Sequence, residues 1–419
     1  MSRPTDGAEP HDHAEEGEDR LLLITLAATL VSTGQPTYEV EEDLIAVGRH
    51  LGYPQVQPAV APTGITLALG PGMPATVETI SGPLRLDQSA EARWIRRQLL
   101  DDEIDRAQAQ TRLGALRSRP ERYPSWLSAP AWVLASVGIG LILQPGVANI
   151  IVTVVGSLIV LGLSRLSSRS RALATLLPSV AAFAVGCLVF GVASAGLLEG
   201  ALRTLLPPLA ILLPGATLVT GLSEIAAGAM VAGVSRVGHG AVQLLLFALG
   251  ILAAAAAWQA PESALTNIRV DELGWWATPL GLLLVSVGVC LTESVRLAYV
   301  PWVVLVVVAA FGAQLLGQQL SGASLGGFLG GLAASFTAAA VELARAQLPR
   351  LVLFLPAFWM LVPGSLGLLS VTELALGPSG GSAGFAVIEL IGAIALGLLV
   401  GSVLARSLRT AIHRRDTKL

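Results

Sequence analysis

The amino-acid sequence predicts a polytopic α-helical membrane protein, with ten transmembrane helices as a 5+5 inverted repeat behind a small cytosolic α/β domain. Three observations predict it. Hydrophobic residues fill 53% of the 419 positions and charged residues only 13%, about half the usual share of roughly 25% in soluble domains. The charges are segregated, 31 of 55 lying in residues 1–128, while the other 291 residues run through long stretches of Leu, Val, Ala and Gly. A segment built around Pro-Gly occurs twice in the apolar part at one fixed offset.

Residues 1–20 are acidic (Glu9, Asp12, Glu15, Glu16, Glu18, Asp19) and read as a disordered tail. They lack the basic-then-apolar order of a secretory signal. His11 and His13 are read as solvated, with no metal between them. Residues 21–52 read as a helix from the spacing of Leu26, Leu30, Val40, Leu44, Val47 and Leu51, interrupted at 34–36. Strands are expected over 56–60, 65–69 and 75–80, separated by Pro62, Gly64, Gly70, Pro71 and Gly72. Residues 88–118 alternate charge and apolar surface at helical spacing. Together 21–118 form the cytosolic domain. Residues 119–126 form the linker, marked by Pro120, Arg122 and Pro124.

Ten apolar segments follow, at 127–143, 147–164, 172–196, 205–234, 238–258, 275–291, 297–316, 323–344, 350–376 and 384–405. A span needs about 17 residues at least. With the amino terminus inside, the inner loops and the basic tail at 406–419 carry 12 Lys and Arg and the outer loops only Arg203 and Arg269. This asymmetry is the positive-inside rule, and it places both termini in the cytoplasm. Trp258, Trp275 and Trp276 flank the longest outer loop, 259–274, as interfacial anchors do.

Residues 206–228 align without gaps on 355–377 at an offset of 149 (363 − 214), pairing Pro207 with Pro356, Pro214 with Pro363, Gly215 with Gly364 and Glu224 with Glu373. Leu and Ala matches are common in an apolar chain; matches of Pro, Pro-Gly and an intramembrane Glu are not. The offset carries spans one to five (repeat 1, 127–258) onto spans six to ten (repeat 2, 275–405). Five is odd, so the second copy enters the membrane from the other side, the architecture of many secondary transporters.

Pro removes a backbone donor and Gly tolerates irregular backbone. A helix restarted after Gly215 or Gly364 presents N–H groups and a positive dipole end to a carboxylate. Pro214, Gly215 and Thr217, with Pro363, Gly364 and Ser365, are therefore the expected substrate-binding positions; a kink that only shapes packing is the alternative. Glu224 and Glu373 lie ten residues past their prolines, about 15 Å along a helix. A carboxylate inside a span marks function by default, so the two are read as proton-coupling or gating groups, against a structural bond between helices. Glu224 is expected toward the cytoplasmic half and Glu373 toward the outer half.

These residues resemble the threonine/serine exporter family. The resemblance rests on residues 26–41 with Gly34, Thr37, Glu39 and Glu42, on 61–66 (Ala-Pro-Thr-Gly-Ile-Thr), on 207–236 ending Gly-Val-Ser-Arg, and on 356–373, and it spans about 21–405. It implies ten spans, a cytosolic amino-terminal domain, and export of L-threonine and L-serine from bacteria across the inner membrane, driven by the proton motive force. The partners it implies are a small amino acid, protons and the lipid bilayer; a homo-oligomer is compatible with it. Export of small dicarboxylates is the second reading, opposed by basic residues that sit only at helix ends. A membrane-anchored hydrolase acting through Thr37, Glu39, Glu42 and Thr63 is the third. No catalytic set, cofactor or metal motif is evident, Cys187 and Cys290 have no evident partner, and the net charge of −3 points to no nucleic acid.

Overall fold

The computed structural model describes residues 13–345, 348, 350–361 and 382–416. The chain divides into two compact units, residues 1–120 and 121–419.

The first unit holds helices α1 (His13–Ser32), α2 (Thr37–His50), α3 (Leu86–Leu100) and α4 (Arg106–Ala115) with strands β1 (Gln57–Ala61), β2 (Gly64–Ala68) and β3 (Ala75–Thr79). The strands form an antiparallel meander in the order β1-β2-β3, within one residue of the expected bounds at every end. Gly34, at φ +82°, ends α1 and reverses the chain into α2; the left-handed region suits glycine because it has no Cβ. Leu22, Leu26, Leu30, Val40, Leu44, Ile65, Leu67, Ile95 and Leu113 make the core.

Two expectations change here. The helix starts at His13, inside the expected tail 1–20, and Asp19 is buried in it, accepting from the Tyr53 hydroxyl and Arg106 Nη1, each at 3.0 Å. A buried, partnered carboxylate anchors chain that composition alone reads as solvated. The single helix expected over 88–118 is two. The break carries Asp102 at φ +56° and Asp105, whose side chain accepts from Gln108 N at 2.7 Å and so caps α4. His50 Nε2 lies 3.0 Å from Asp102 Oδ1.

The second unit is helical: α5 (Ser128–Leu143), α6 (Val147–Ser167), α7 (Arg171–Ser194), the short α8 (Ala201–Thr204) and α9 (Leu206–Leu209), α10 (Gly215–Ala226), α11 (Met230–Ala257), α12 (Ala277–Thr292), α13 (Val300–Ser321), α14 (Ala323–Ala344), α15 (Arg350–Leu361) and α16 (Ser382–Asp416). Among the described residues six helices are long and apolar enough to cross a membrane, or seven if Ala201–Leu212 and Gly215–Ala226 count as one bent span; Ala277–Thr292 and Glu389–Ala405 are shorter apolar helices. This is a multi-pass helical membrane protein.

Glycine sets the closest crossings. A Cβ on Gly138 would meet Gly281 O at 2.7 Å, and one on Gly281 would meet Gly138 O at 2.7 Å, so α5 and α12 touch backbone to backbone. Gly288 lies against Ala131 and Ala135, which makes the pair antiparallel. Such close approach is the usual use of small residues between membrane helices.

The helix connections gather at separate ends of this unit. Gln144, in the α5–α6 turn and fully buried, donates to Gly200 O (3.3 Å) and Ile268 O (3.2 Å) and accepts from Val270 N. Beside it Asn149 donates to Glu199 O (2.8 Å) and Thr204 Oγ1 (2.7 Å), while Glu272 N and Leu273 N donate to Pro145 O. Three connections are thus tied in one polar knot. In the segment before α5, Arg122 Nε donates to Ser294 O (3.3 Å) and the Tyr123 hydroxyl to Val295 O (2.8 Å), both in the α12–α13 turn.

Candidate functional site: a broken span and a buried ion pair

The span that the sequence reads as 205–234 is not one helix. Pro207 and Pro208 start the four-residue α9, a single 3-10 turn runs through Leu212, and the chain straightens at Leu213 (φ −69°, ψ 137°) before Pro214. The axis then turns by 68° into α10. Pro214 cannot donate to the turn before it, so the break falls where the sequence places it. No side chain caps the start of α10; Leu218 N closes its first turn on Pro214 O at 3.0 Å. Pro214 and Gly215 are buried and Thr217 half-buried.

α10 ends in a glycine cap. Gly228 sits at φ +92° and Ala229 N donates to Glu224 O at 2.8 Å, the hydrogen bond that closes a helix on a left-handed residue. The chain reverses and α11 returns along α10. A Cβ on Gly233 would meet Gly221 O at 2.5 Å, one on Gly221 would meet Arg236 Cβ at 2.9 Å, and one on Gly240 would meet Leu218 at 2.6 Å. The contacts run in opposite directions along the two helices, so α10 and α11 form an antiparallel hairpin seamed by glycine.

Across that seam Glu224, fully buried, meets Arg236, whose side chain is 13% exposed, with Nε 3.0 Å from Oε2. The distance is that of an ion pair, yet the Nε–H is out of line with the oxygen. Nε and Nη2 of Arg236 are buried and make no hydrogen bond among the described residues. A buried charge without a partner is expensive, and each of these charges offsets the cost of the other.

Arg236 corrects the sequence reading. The apolar segments ending at 234 and beginning at 238 leave it in an inner loop. The turn lies eight residues earlier, at Gly228, and α11 runs unbroken from Met230 to Ala257 with Arg236 inside it. A hydropathy count stops at an arginine because it scores the charge alone and does not register the buried carboxylate beside it. The signal was present as Glu and Arg twelve residues apart with Gly228 between them. Sequence reasoning also missed Gln144, Asn149 and Thr204, whose amides and hydroxyl are inconspicuous until the connections are brought together.

The second copy of the motif (Pro363, Gly364, Ser365 and Glu373) lies outside the described residues. In the first unit Thr37 is buried at the start of α2, and Glu39 and Asp43 face α3, where Arg93 Nη2 lies 3.9 Å from Glu39 and Arg96 Nη2 lies 2.8 Å from Asp43. Gln35 Nε2 donates to Asp43 at 3.0 Å. Burial pushes the Asp43 carboxyl above the usual carboxylate range against the pull of Arg96, Gln35 and Arg93. Glu42 lies on the same helix, and Thr63 sits in the β1–β2 turn, its carbonyl accepting from Ile80 N. Thr37, Glu39, Glu42 and Thr63 thus share one unit. Among the described residues no three His, Cys, Asp or Glu side chains converge on a metal position.

Comparison with curated proteins and with solved structures returned no match. The model of the ThrE family, described as "Putative threonine/serine exporter", matches residues 21–258, from inside α1 to the end of α11. That stretch contains the first unit from residue 21 onward, the broken span and the Glu224–Arg236 hairpin, and it is more than half of the 419 residues, so the chain belongs to the threonine/serine exporter family.

Proposed function

We propose that this protein exports small amino acids, L-threonine and L-serine foremost, from the bacterial cytoplasm across the inner membrane by alternating access, driven by the proton motive force, with both termini cytoplasmic. The observation that carries this reading, beside the family, is the span broken at Leu213–Pro214 and restarted at Gly215, in a chain that repeats the sequence at Pro363–Gly364. Broken spans at matching places in two halves point to a central substrate site.

The packing supports a 5+5 inverted repeat. The contact of Glu272 with Pro145 maps to residues 123 (272 − 149) and 294 (145 + 149), and Arg122 and Tyr123 do bond to Ser294 and Val295. The same relation takes the contact of α6 with α7 to that of α13 with α14, and α7 with α11 to α14 with α16; each of these pairs is in contact.

In this mechanism the N–H groups at 215–217 receive the substrate carboxylate, and Thr217 and Ser365 the side-chain hydroxyl. Glu224 and Glu373 gate the two access sides and carry the coupled proton. Arg236 supplies the buried cation that the dicarboxylate reading lacked, but Glu224 neutralises it, which suits a zwitterion better than a dianion. The test is efflux from cells preloaded with a threonine dipeptide, with and without a protonophore. Threonine efflux that needs this protein, and falls with the protonophore and with Glu224→Gln or Glu373→Gln, is expected. Protein that reaches the membrane and moves neither threonine nor serine would overturn the substrate assignment; efflux surviving both changes would remove the two carboxylates from the mechanism.

A further inference from the structure

We propose that the Glu224–Arg236 pair is itself a docking site for the charged backbone of an α-amino acid, the substrate inserting between the two side chains with its carboxylate on Arg236 and its ammonium on Glu224. The proposal rests on the exporter reading and names a station that reading does not contain. It lies about 15 Å along α10 from the Pro214 break, ten residues at 1.5 Å each, so it is separate from the site at Gly215.

Three observations carry it. The Arg236 guanidinium approaches Glu224 at 3.0 Å without aiming Nε–H at it, and its Nε and Nη2 are buried without a hydrogen bond among the described residues. A guanidinium offers two parallel N–H donors that match a carboxylate, and here that fork is not used by the internal carboxylate. Buried donors are nearly always satisfied, and an exception calls for an explanation. Second, the pair lies close to the hairpin tip, where residues 226–228 are exposed, so a solute has a short path to it. Third, the charges balance. The closed pair is neutral, and a zwitterion placed between the two partners makes two neutral pairs with no proton taken up or released. A dicarboxylate would add two negative charges to a buried place that already holds one carboxylate. Removing either partner leaves an uncompensated buried charge, a large penalty, whereas substrate insertion exchanges one partner for another.

The experiment uses the full-length protein purified in detergent and radiolabelled L-threonine. The competitors are threoninol, which lacks the carboxylate, and 2,3-dihydroxybutanoate, which lacks the ammonium. The wild type is expected to bind threonine and to reject both competitors. Arg236→Gln is expected to weaken threonine by about tenfold or more, the value of one hydrogen-bonded contact to a charged group, and to lose the preference over threoninol while still rejecting dihydroxybutanoate. Glu224→Gln is expected to give the converse pattern. The double exchange Glu224→Arg/Arg236→Glu keeps both charges and is expected to recover part of the binding, with the substrate reversed. Unchanged preferences in both single variants would overturn the proposal. If the single variants do not fold, Glu224→Gln/Arg236→Gln carries the test: wild-type affinity in that neutral pair would overturn it, and a loss of about tenfold or more supports it. A wild type that binds neither threonine nor serine would overturn the exporter reading as well, and is distinguished because it is read before any variant.

Discussion

Single side chains in both units show buried charge being made tolerable by a neighbour. Asp43 is the case that can be titrated. Burial raises its pKa, and Arg96, Gln35 and Arg93 lower it by less, so the folded protein binds the Asp43 proton more tightly than the unfolded chain does. The sign follows: this group's contribution is full below the ordinary carboxylate pKa and is lost as pH rises through the raised value, after which stability is flat. Arg96→Ala removes the 2.8 Å partner and leaves the like charge of Glu39 nearby. It is expected to destabilise the protein by about 1–3 kcal/mol at neutral pH and to extend that fall toward higher pH. Thermal unfolding of wild type and variant between about pH 4 and 7 checks it, and parallel curves would sink the argument. In the sequence these partners are illegible: nothing in a linear pattern brings Arg93 and Arg96 of α3 to Glu39 and Asp43 of α2. Arg236 was misplaced for the same reason, whereas Glu224, a carboxylate in an apolar run, was conspicuous without its partner.

At the level of elements, legibility follows how local the cause is. The three strands were readable because turn residues bound them. The break at Pro214 was readable because proline acts on its own turn. The interruption between α3 and α4 was missed, since charged residues at helical spacing run through it and Asp105 is recognised as a cap only once the chain has turned there. The α10–α11 hairpin lies between these cases. Its glycines were visible, but the seam they form depends on the turn at Gly228. That seam makes a prediction. A Cβ at Gly233 would come within 2.5 Å of Gly221 O and of Ile225, whereas one at Gly238, on the same helix, would meet nothing within 4 Å. Gly233→Ala must push two backbones apart and is expected to cost about 1–3 kcal/mol, with loss of efflux as the Glu224–Arg236 distance opens. Gly238→Ala is expected to be neutral or to stabilise by up to about 1 kcal/mol, through helix propensity. Melting temperatures of the two variants in detergent decide it, and equal losses would refute the seam.

For the whole molecule the argument turns on which connections share a side. Sequence charge places the turns at 144–146, 197–204 and 259–274 outside, and those at 165–171, 235–237 and 292–296 inside; with the fourth turn moved to Gly228, the hairpin tip takes the inner place of 235–237. The polar knot supports the first grouping, because Gln144 reaches both Gly200 and Ile268, an association that hydropathy could not specify. The orientation of the repeat units then becomes an accessibility pattern. In a chain carrying Cys187→Ala and Cys290→Ala, single cysteines at Leu197 and Ile268, both exposed, are expected to react with an impermeant maleimide on intact cells. Cysteines at Ala227, in the exposed hairpin tip, and at Leu297, beside the α12–α13 turn, are expected to react only after the cells are opened. A reversed pattern would invert the orientation and put the Glu224–Arg236 pair toward the outside, where an exporter would release substrate rather than receive it. Leu197 and Ile268 reacting on different sides would contradict the knot, and with it the pairing of 145 with 272 and of 123 with 294 on which the inverted repeat depends.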